Sequence, residues 1–199
     1  MIDVLVADPP WKFGDNTPGG RDRQYARMPL ERIMGMRLPP IGNNAVLFLW
    51  RCASLQLEAL QVAIAWGFVP TADLVWQKLT RNGLPHFGTG HYTRGSVETC
   101  VICVRGACKP AVRDQRNTFA AKMPYKNGRP WHSAKPDEFY AIVERMYPTA
   151  RRFELFARKR RDGWHQHGRG LPKLPAGRPL LQLVGGTLPA LPAPASDVG

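Results

Sequence analysis

Ile2-Asp3-Val4-Leu5-Val6-Ala7-Asp8-Pro9-Pro10-Trp11 is the stretch on which the reading of this chain turns. From Ile2 to Ala7 every residue but Asp3 is apolar, and an unbroken run of that kind marks a strand buried on both faces. The run stops at Asp8 and two prolines, which cannot extend a β-ladder. A central strand therefore delivers a carboxylate and a stiff piece of backbone at its carboxyl end. Similar runs recur at 45–50, 73–77, 97–104 and 153–157. Between them lie helical patterns. Leu57, Leu60 and Ile64 fall at i, i+3, i+7 in a helix ending near Trp66-Gly67. Phe139, Ile142, Val143 and Met146 fall at i, i+3, i+4, i+7, with Pro136 near the helix start and Pro148 past its end. Strands alternating with helices predict an α/β fold, a mostly parallel sheet with helices on both faces.

Three long loops, 9–28, 79–95 and 106–131, follow predicted strands. Loops of more than about 12–15 residues in a compact domain are usually functional or disordered, and open α/β sheets bind ligands beyond the carboxyl ends of their strands. All three are expected to wall a site. At 199 residues the chain is sized for one domain with an appendage. We place the domain at 1–168 and read 169–199 as a mostly disordered tail, because residues 171–199 hold six Pro, four Gly and no aromatic residue.

With 28 basic and 15 acidic residues the net charge is +13, which speaks of polyanionic partners rather than of fold. Seven basic residues stand against Asp114 in 105–129, and nine against two acidic ones in 151–178. Tyr125 and Trp131 lie near the first stretch, a mixture suited to phosphates and unpaired bases; a solvated surface is the plainer alternative. No apolar run approaches the roughly 20 residues of a membrane span, and the first residues lack a signal peptide's basic flank, so a cytoplasmic location is expected. Cys100 and Cys103 form a CxxC inside an alternating strand pattern without a second pair. Buried thiols, and no metal site, are expected there.

Asp8-Pro9-Pro10-Trp11 suits one reaction, methylation of an exocyclic amino group on a base. Such a nitrogen is conjugated into its ring and nucleophilically poor, so a site must hold both N–H groups and free the lone pair. An ionised Asp8 can accept one N–H and the Pro9 carbonyl the other; Pro9 and Pro10 bring no competing N–H. Trp11 is expected to stack on a base that has left its helix.

The chain here resembles the permuted adenine N(6)-methyltransferases of the MT-A70 type. The likeness runs from Ile2 to about Gly168 through pieces in the family's order: Ala7-Asp8-Pro9-Pro10-Trp11, Tyr25-Ala26-Arg27-Met28, Leu47-Phe48-Leu49-Trp50 and Trp66-Gly67-Phe68 come first. Trp76-Gln77-Lys78, Gly90-His91, Glu98-Thr99-Cys100, His132-Ser133-Ala134-Lys135-Pro136-Asp137-Glu138 and Glu154-Leu155-Phe156-Ala157-Arg158 follow. The resemblance implies a Rossmann-like methyltransferase sheet whose catalytic motif precedes the cofactor-binding strand, with S-adenosylmethionine as cofactor. It implies Lys135 as partner of the cofactor's carboxylate, Glu154 and Arg158 near its ribose, and Asp8 beside it. Tyr25 and Trp76 would line the substrate side; by composition alone Lys135 reads as an exposed lysine, Glu154 and Arg158 as edge charges, and Trp76 as core. Lys122, Lys126 and Arg129, from the basic stretch, join Trp11 as nucleic-acid contacts. The expected activity is methylation of the adenine 6-amino group in nucleic acid, with DNA ahead of RNA. A catalytically silent binding subunit and a cytosine amino-methyltransferase are the alternatives. A protein partner or second copy that completes the groove stays open.

Two departures from the family stand out. Little chain precedes Asp8 to cover the cofactor's adenine, and Trp164-His165-Gln166-His167-Gly168-Arg169 replaces the family's Gly-Asn or Gly-Gln/Glu. His165 and His167 read as surface residues.

Overall fold

The computed structural model describes residues 1–12, 27–88, 90, 92–131, 134–168 and 171. Its elements are β1 (Ile2–Ala7), α1 (Leu30–Met34), β2 (Ile41–Arg51), α2 (Gln56–Ala65), β3 (Val69–Leu79), β4 (Val97–Arg105), β5 (Thr118–Lys122), β6 (Tyr125–Lys126), β7 (Arg129–Pro130), α3 (Asp137–Met146), β8 (Arg152–Leu155) and β9 (Trp164–His167). Seven strands form one sheet in the order β5-β3-β4-β2-β1-β8-β9, with β6 and β7 a separate hairpin. β1 pairs in parallel with β2 and β8, β8 with β9, and β3 with β5. β4 alone among these is antiparallel to both its neighbours, β2 and β3.

The apolar runs are continuous because alternate side chains serve two cores. Leu5, Leu47, Leu49, Val101 and Phe153 pack under α1 and α2, while Val4, Val6, Phe48, Trp50 and Leu74 pack under α3. On that second side Phe139 of α3 meets Trp50 and Phe48 edge-on, with ring centroids 4.8 and 5.9 Å apart. Cys100 and Cys103 fall in opposite cores, both buried and free. Three residues apart on a strand, they point to opposite faces and cannot share a ligand.

Helix α3 buries Phe139, Tyr140, Val143 and Met146, close to the predicted stripe. Helix α2 lies where its periodicity put it but presents another face. Ala59, Val62 and Ala63 are buried, whereas Leu57 and Ile64 are 66% and 64% exposed. Small residues let the helix sit close to β2, and Arg105 closes its carboxyl end by donating to the Gly67 and Trp66 carbonyls. Helices cover both faces at the centre of the sheet, but on α2's side Asp73 and Gln77 of β3 remain exposed.

Two strands and a hairpin lie where the sequence reading placed loops. β5 and the β6–β7 hairpin fall inside 106–131, and β9 is the polar stretch Trp164–His167. With β9 on its outer side, β8 is not an edge. The hairpin turns on Asn127 and Gly128, both at positive φ (52° and 74°), the two-residue geometry that Asn-Gly favours.

The reversal of β4 also divides the loops between the two ends of the sheet. Asp8, Leu79, Lys122 and Leu155 end or follow strands that run one way, so they share one end with the start of β4. The segment after β4 begins at the other end, where the Asn44 side chain accepts from the Ala107 N–H and the Met146 carbonyl from the Ala111 N–H. Lys109, Arg113 and Arg116 of the basic stretch are therefore remote from Asp8, a correction to the expectation that the whole 106–131 loop walls the site. Residues 13–26 and 172–199, including Tyr25 and nearly all of the expected tail, lie outside the described residues.

Candidate active site

Asp8 leaves β1 on a backbone that is pinned on three sides. The Trp11 N–H donates to the Pro9 carbonyl (2.8 Å), the Met28 N–H to the Pro10 carbonyl (2.8 Å), and the buried Trp11 indole N–H to the Trp50 carbonyl (3.1 Å). Only 6% exposed, Trp11 packs in the core under α1 and α2. The structure gives it a fastening role in place of the expected stacking. One lone pair of the Pro9 carbonyl is used by Trp11, and the other remains an acceptor.

Lys135, in the segment leading into α3, is buried at 8% exposure. Its ammonium lies 2.8 Å from Asp8 Oδ2 and 3.0 Å from Glu98 Oε2, and 4.9 Å from the Trp50 ring. Glu98 Oε1 in turn meets Lys78 Nζ at 2.5 Å. Four charges alternate in sign along this chain, Asp8, Lys135, Glu98, Lys78. Burial alone would lower the lysine's proton affinity; the two carboxylates overcome it and raise Lys135 above its ordinary range. Burial pushes Glu98 up, but Lys135 and Lys78 outweigh it and hold that carboxyl below its ordinary value. Two anions thus answer the cost of a cation ahead of a helix N-terminus.

Glu154, at the end of β8, is also buried, accepting from the Tyr140 hydroxyl (2.6 Å) and from Gln166 Nε2 (2.6 Å). Burial raises its carboxyl above the ordinary value against the pull of those two donors. Tyr140 is clasped on its ring by the Arg161 guanidinium, 3.6 Å from the centroid. Phe156 follows at φ 65°, a left-handed conformation uncommon for a bulky residue and typical of functional turns. Gly168 is obligatory beside it, since a Cβ there would stand 2.2 Å from the Ala157 carbonyl oxygen.

Asp8, Lys135, Glu154 and Arg158 line one narrow cleft with Phe156, Tyr140 and Trp50. Trp76, by contrast, is 2% exposed with its indole N–H on the Ala121 carbonyl (2.9 Å), so it is core. Lys122, Lys126 and Arg129 are exposed and none of them lines the cleft; Lys126 lies 5.1 Å from the Trp131 ring. His165 and His167 are half-buried on β9. Cys52, beside Asp8 and Glu98, is pushed up to about 11 by burial and then by Asp8, and stays a thiol. Among the described residues no group of His, Cys, Asp and Glu could hold a metal ion, and no helix is long and apolar enough to cross a membrane.

Sequence reasoning missed Glu98 and Lys78 as members of the site. Both occur in pieces of the family pattern, but Glu98 sits at the amino end of a strand, which reaches this end of the sheet only because β4 is reversed. Tyr140 and Gln166, which fix Glu154, were also missed; an aromatic hydroxyl on a helix's buried face carried no signal of its partner.

A sheet of this order with an Asp-Pro-Pro-Trp turn at the carboxyl end of a central strand is consistent with the Rossmann-like methyltransferase fold. The chain belongs to the MT-A70 family, whose profile it matches over residues 2–170. It is 30% identical over 179 residues to the N(6)-adenosine-methyltransferase MT-A70-like protein of Arabidopsis thaliana, covering 84% of this chain and 23% of that one. Against the human N(6)-adenosine-methyltransferase catalytic subunit METTL3 it is 28% identical over 173 residues, 78% of this chain and 25% of that one. Against the type II methyltransferase M.MunI of Mycoplasma sp it is 27% identical over 193 residues, 85% of this chain and 77% of that one. The chain spans about a quarter of the length of the plant and human relatives.

Proposed function

We propose that the chain transfers a methyl group from S-adenosylmethionine to the 6-amino group of adenine in nucleic acid, with DNA as its substrate ahead of RNA. The observation that supports this reading best is the Asp8 carboxylate at the end of β1, with Oδ2 paired to Lys135 and Oδ1 outside that pair. Methyl donation from S-adenosylmethionine is the chemistry of the family. The cleft's groups fit such a donor. Glu154 is a buried acceptor suited to ribose hydroxyls, and Lys135 and Arg158 are cations suited to its carboxylate. The enclosed space between them is about 10 Å³, room for about one water.

When bound, the donor supplies an electrophilic methyl on a sulfonium. Asp8 Oδ1 accepts one N–H of the target amine and the open lone pair of the Pro9 carbonyl the other. The nitrogen lone pair is left to point at the methyl. Asp8 is also placed to take the proton released as the new N–C bond forms. Positioning and fixed electrostatics carry most of such catalysis. DNA is preferred because the type II methyltransferase, a class that modifies DNA, is matched over 77% of its length, whereas the adenosine methyltransferases are matched over a quarter.

The test is label transfer from S-adenosylmethionine to DNA and RNA of one sequence, followed by digestion and mass spectrometry. N(6)-methyldeoxyadenosine is expected, falling by about 100-fold or more in Asp8→Ala, the usual loss for a group aimed at the reacting centre. Methylcytosine without methyladenine, or equal incorporation by the variant, overturns the reading.

A further inference from the structure

Beyond Lys135 lies a second concavity that the chemistry above does not use. It holds about 430 Å³, inside the roughly 300–1,000 Å³ range of small-ligand sites. One wall is the β5–β6 junction and the end of the hairpin, through Lys122, Pro124 and Trp131; the other is the first turns of α3, through Glu138 and Ala141. Ala134, Lys135 and Lys159 line both this groove and the Asp8 cleft, so the two adjoin.

The lining has two chemical characters. Pro124, the half-buried Trp131 and Ala141 offer apolar surface, and Lys122 and Lys159 offer positive charge at its edges beside the carboxylates of Glu138 and of Asp137, which meets Lys159 at 2.7 Å. A flat aromatic solute with an attached anion matches that pair of characters, since bases stack on aromatic side chains and phosphates seek lysines. Resting on the function proposed above, we infer that this groove holds the nucleotide adjoining the target, its base against Trp131 and its phosphate between Lys122 and Lys159. The enzyme then grips two successive nucleotides, the target base at Asp8 Oδ1 and the Pro9 carbonyl and its neighbour in the groove, and a neighbour out of its helix is part of the substrate.

The test uses short single-stranded oligodeoxynucleotides with one adenine, and one carrying 5-iodouracil beside it. Irradiation is expected to cross-link the iodouracil to Trp131, mapped by peptide mass spectrometry. Trp131→Ala should raise KM for the oligonucleotide about tenfold, the scale of one lost base–aromatic stack, while calorimetry shows cofactor affinity unchanged and Trp131→Tyr recovers most of the loss. Ala141→Glu, an exposed helix position that fills the groove without touching the fold, should raise KM as well. Unchanged KM in both variants together with no cross-link at Trp131 overturns the groove and leaves the proposed function standing; weakened cofactor binding in either variant assigns the groove to the cofactor instead. Failure of the wild type to methylate any of these oligonucleotides or duplex DNA overturns both.

Discussion

Replacing Lys135 by methionine removes one buried cation from between two carboxylates while keeping an unbranched stem of similar length. Its ammonium lies 2.8 Å from Asp8 and 3.0 Å from Glu98 and is 8% exposed, so solvent cannot replace it. Breaking a buried pair costs about 3–5 kcal/mol, against a total stability of about 5–15 kcal/mol. At ~2–4 °C per kcal/mol for a domain of this size, Lys135→Met should melt roughly 10 °C below wild type. The cost should also depend on pH. Glu98 has its folded value depressed, so its pairing contributes stability above the ordinary carboxylate value of 4.5 and loses it as pH falls through the folded value. Lys135 has its folded value raised, so its contribution is complete below the ordinary lysine value of 10.5 and disappears only in strong alkali. In the variant, Glu98 loses one of its two cations and burial favours its protonated form. Acid then relieves the variant as it weakens the wild type, and the difference between them narrows. Urea denaturation followed by tryptophan fluorescence across acid and neutral pH reads both effects. Adding Glu98→Gln to the variant should recover about 1–3 kcal/mol, the coupling expected between touching residues. A cost below about 1 kcal/mol, the size of an exposed pair, or one constant with pH, refutes the reasoning.

The remaining expectations concern parts of the molecule away from that pair. Reversing Lys122, Lys126 and Arg129 to Glu should flatten the salt dependence of DNA affinity by about 0.7–0.9 per lost phosphate contact, whereas the same change at Lys109, Arg113 and Arg116 should leave the slope alone; equal effects would show that both ends of the sheet meet the polymer. Trp76→Phe leaves the Ala121 carbonyl without its donor and should cost about 1–3 kcal/mol with no change in KM, and a rise in KM at unchanged stability would return Trp76 to the substrate side. Gly168→Ala forces a Cβ against the Ala157 carbonyl oxygen; it should lower the melting temperature, and an unaltered melt would mean that β9 shifts freely.

What the sequence made legible follows from where two faces are buried. β1, β2 and β4 are largely apolar on both sides and announce themselves without any partner, and β8 shows through the apolar run that Phe153, Leu155 and Phe156 begin. β5 and β9 do not, because Thr118 and Lys122 are exposed and Trp164–His167 is polar; a flanking strand pairs through backbone, which leaves no mark on side-chain pattern. The α2 stripe misled because Leu57 and Ile64 are the larger residues, yet close packing on the sheet selected Ala59, Val62 and Ala63. Asn127-Gly128 was a hairpin signal in plain view, overlooked within a basic stretch taken for a loop. At the site, Asp8, Lys135, Glu154 and Arg158 were legible through the family's motif order, and they do meet around one cleft. Glu98 was not, because strand direction is a property of pairing that spacing along one chain does not carry.

That same reversal of β4 gives the molecule two ends that can be altered independently. The 106–117 segment lies across the length of a nine-residue strand, about 30 Å, from the carboxylate that faces the cleft. A dye, a surface tether or a grafted DNA-binding module attached near Arg113 would hold the protein with its cleft turned outward. The partly exposed base of the molecule becomes a handle, and targeting can be engineered there without redesigning the end that holds the Asp8 cleft.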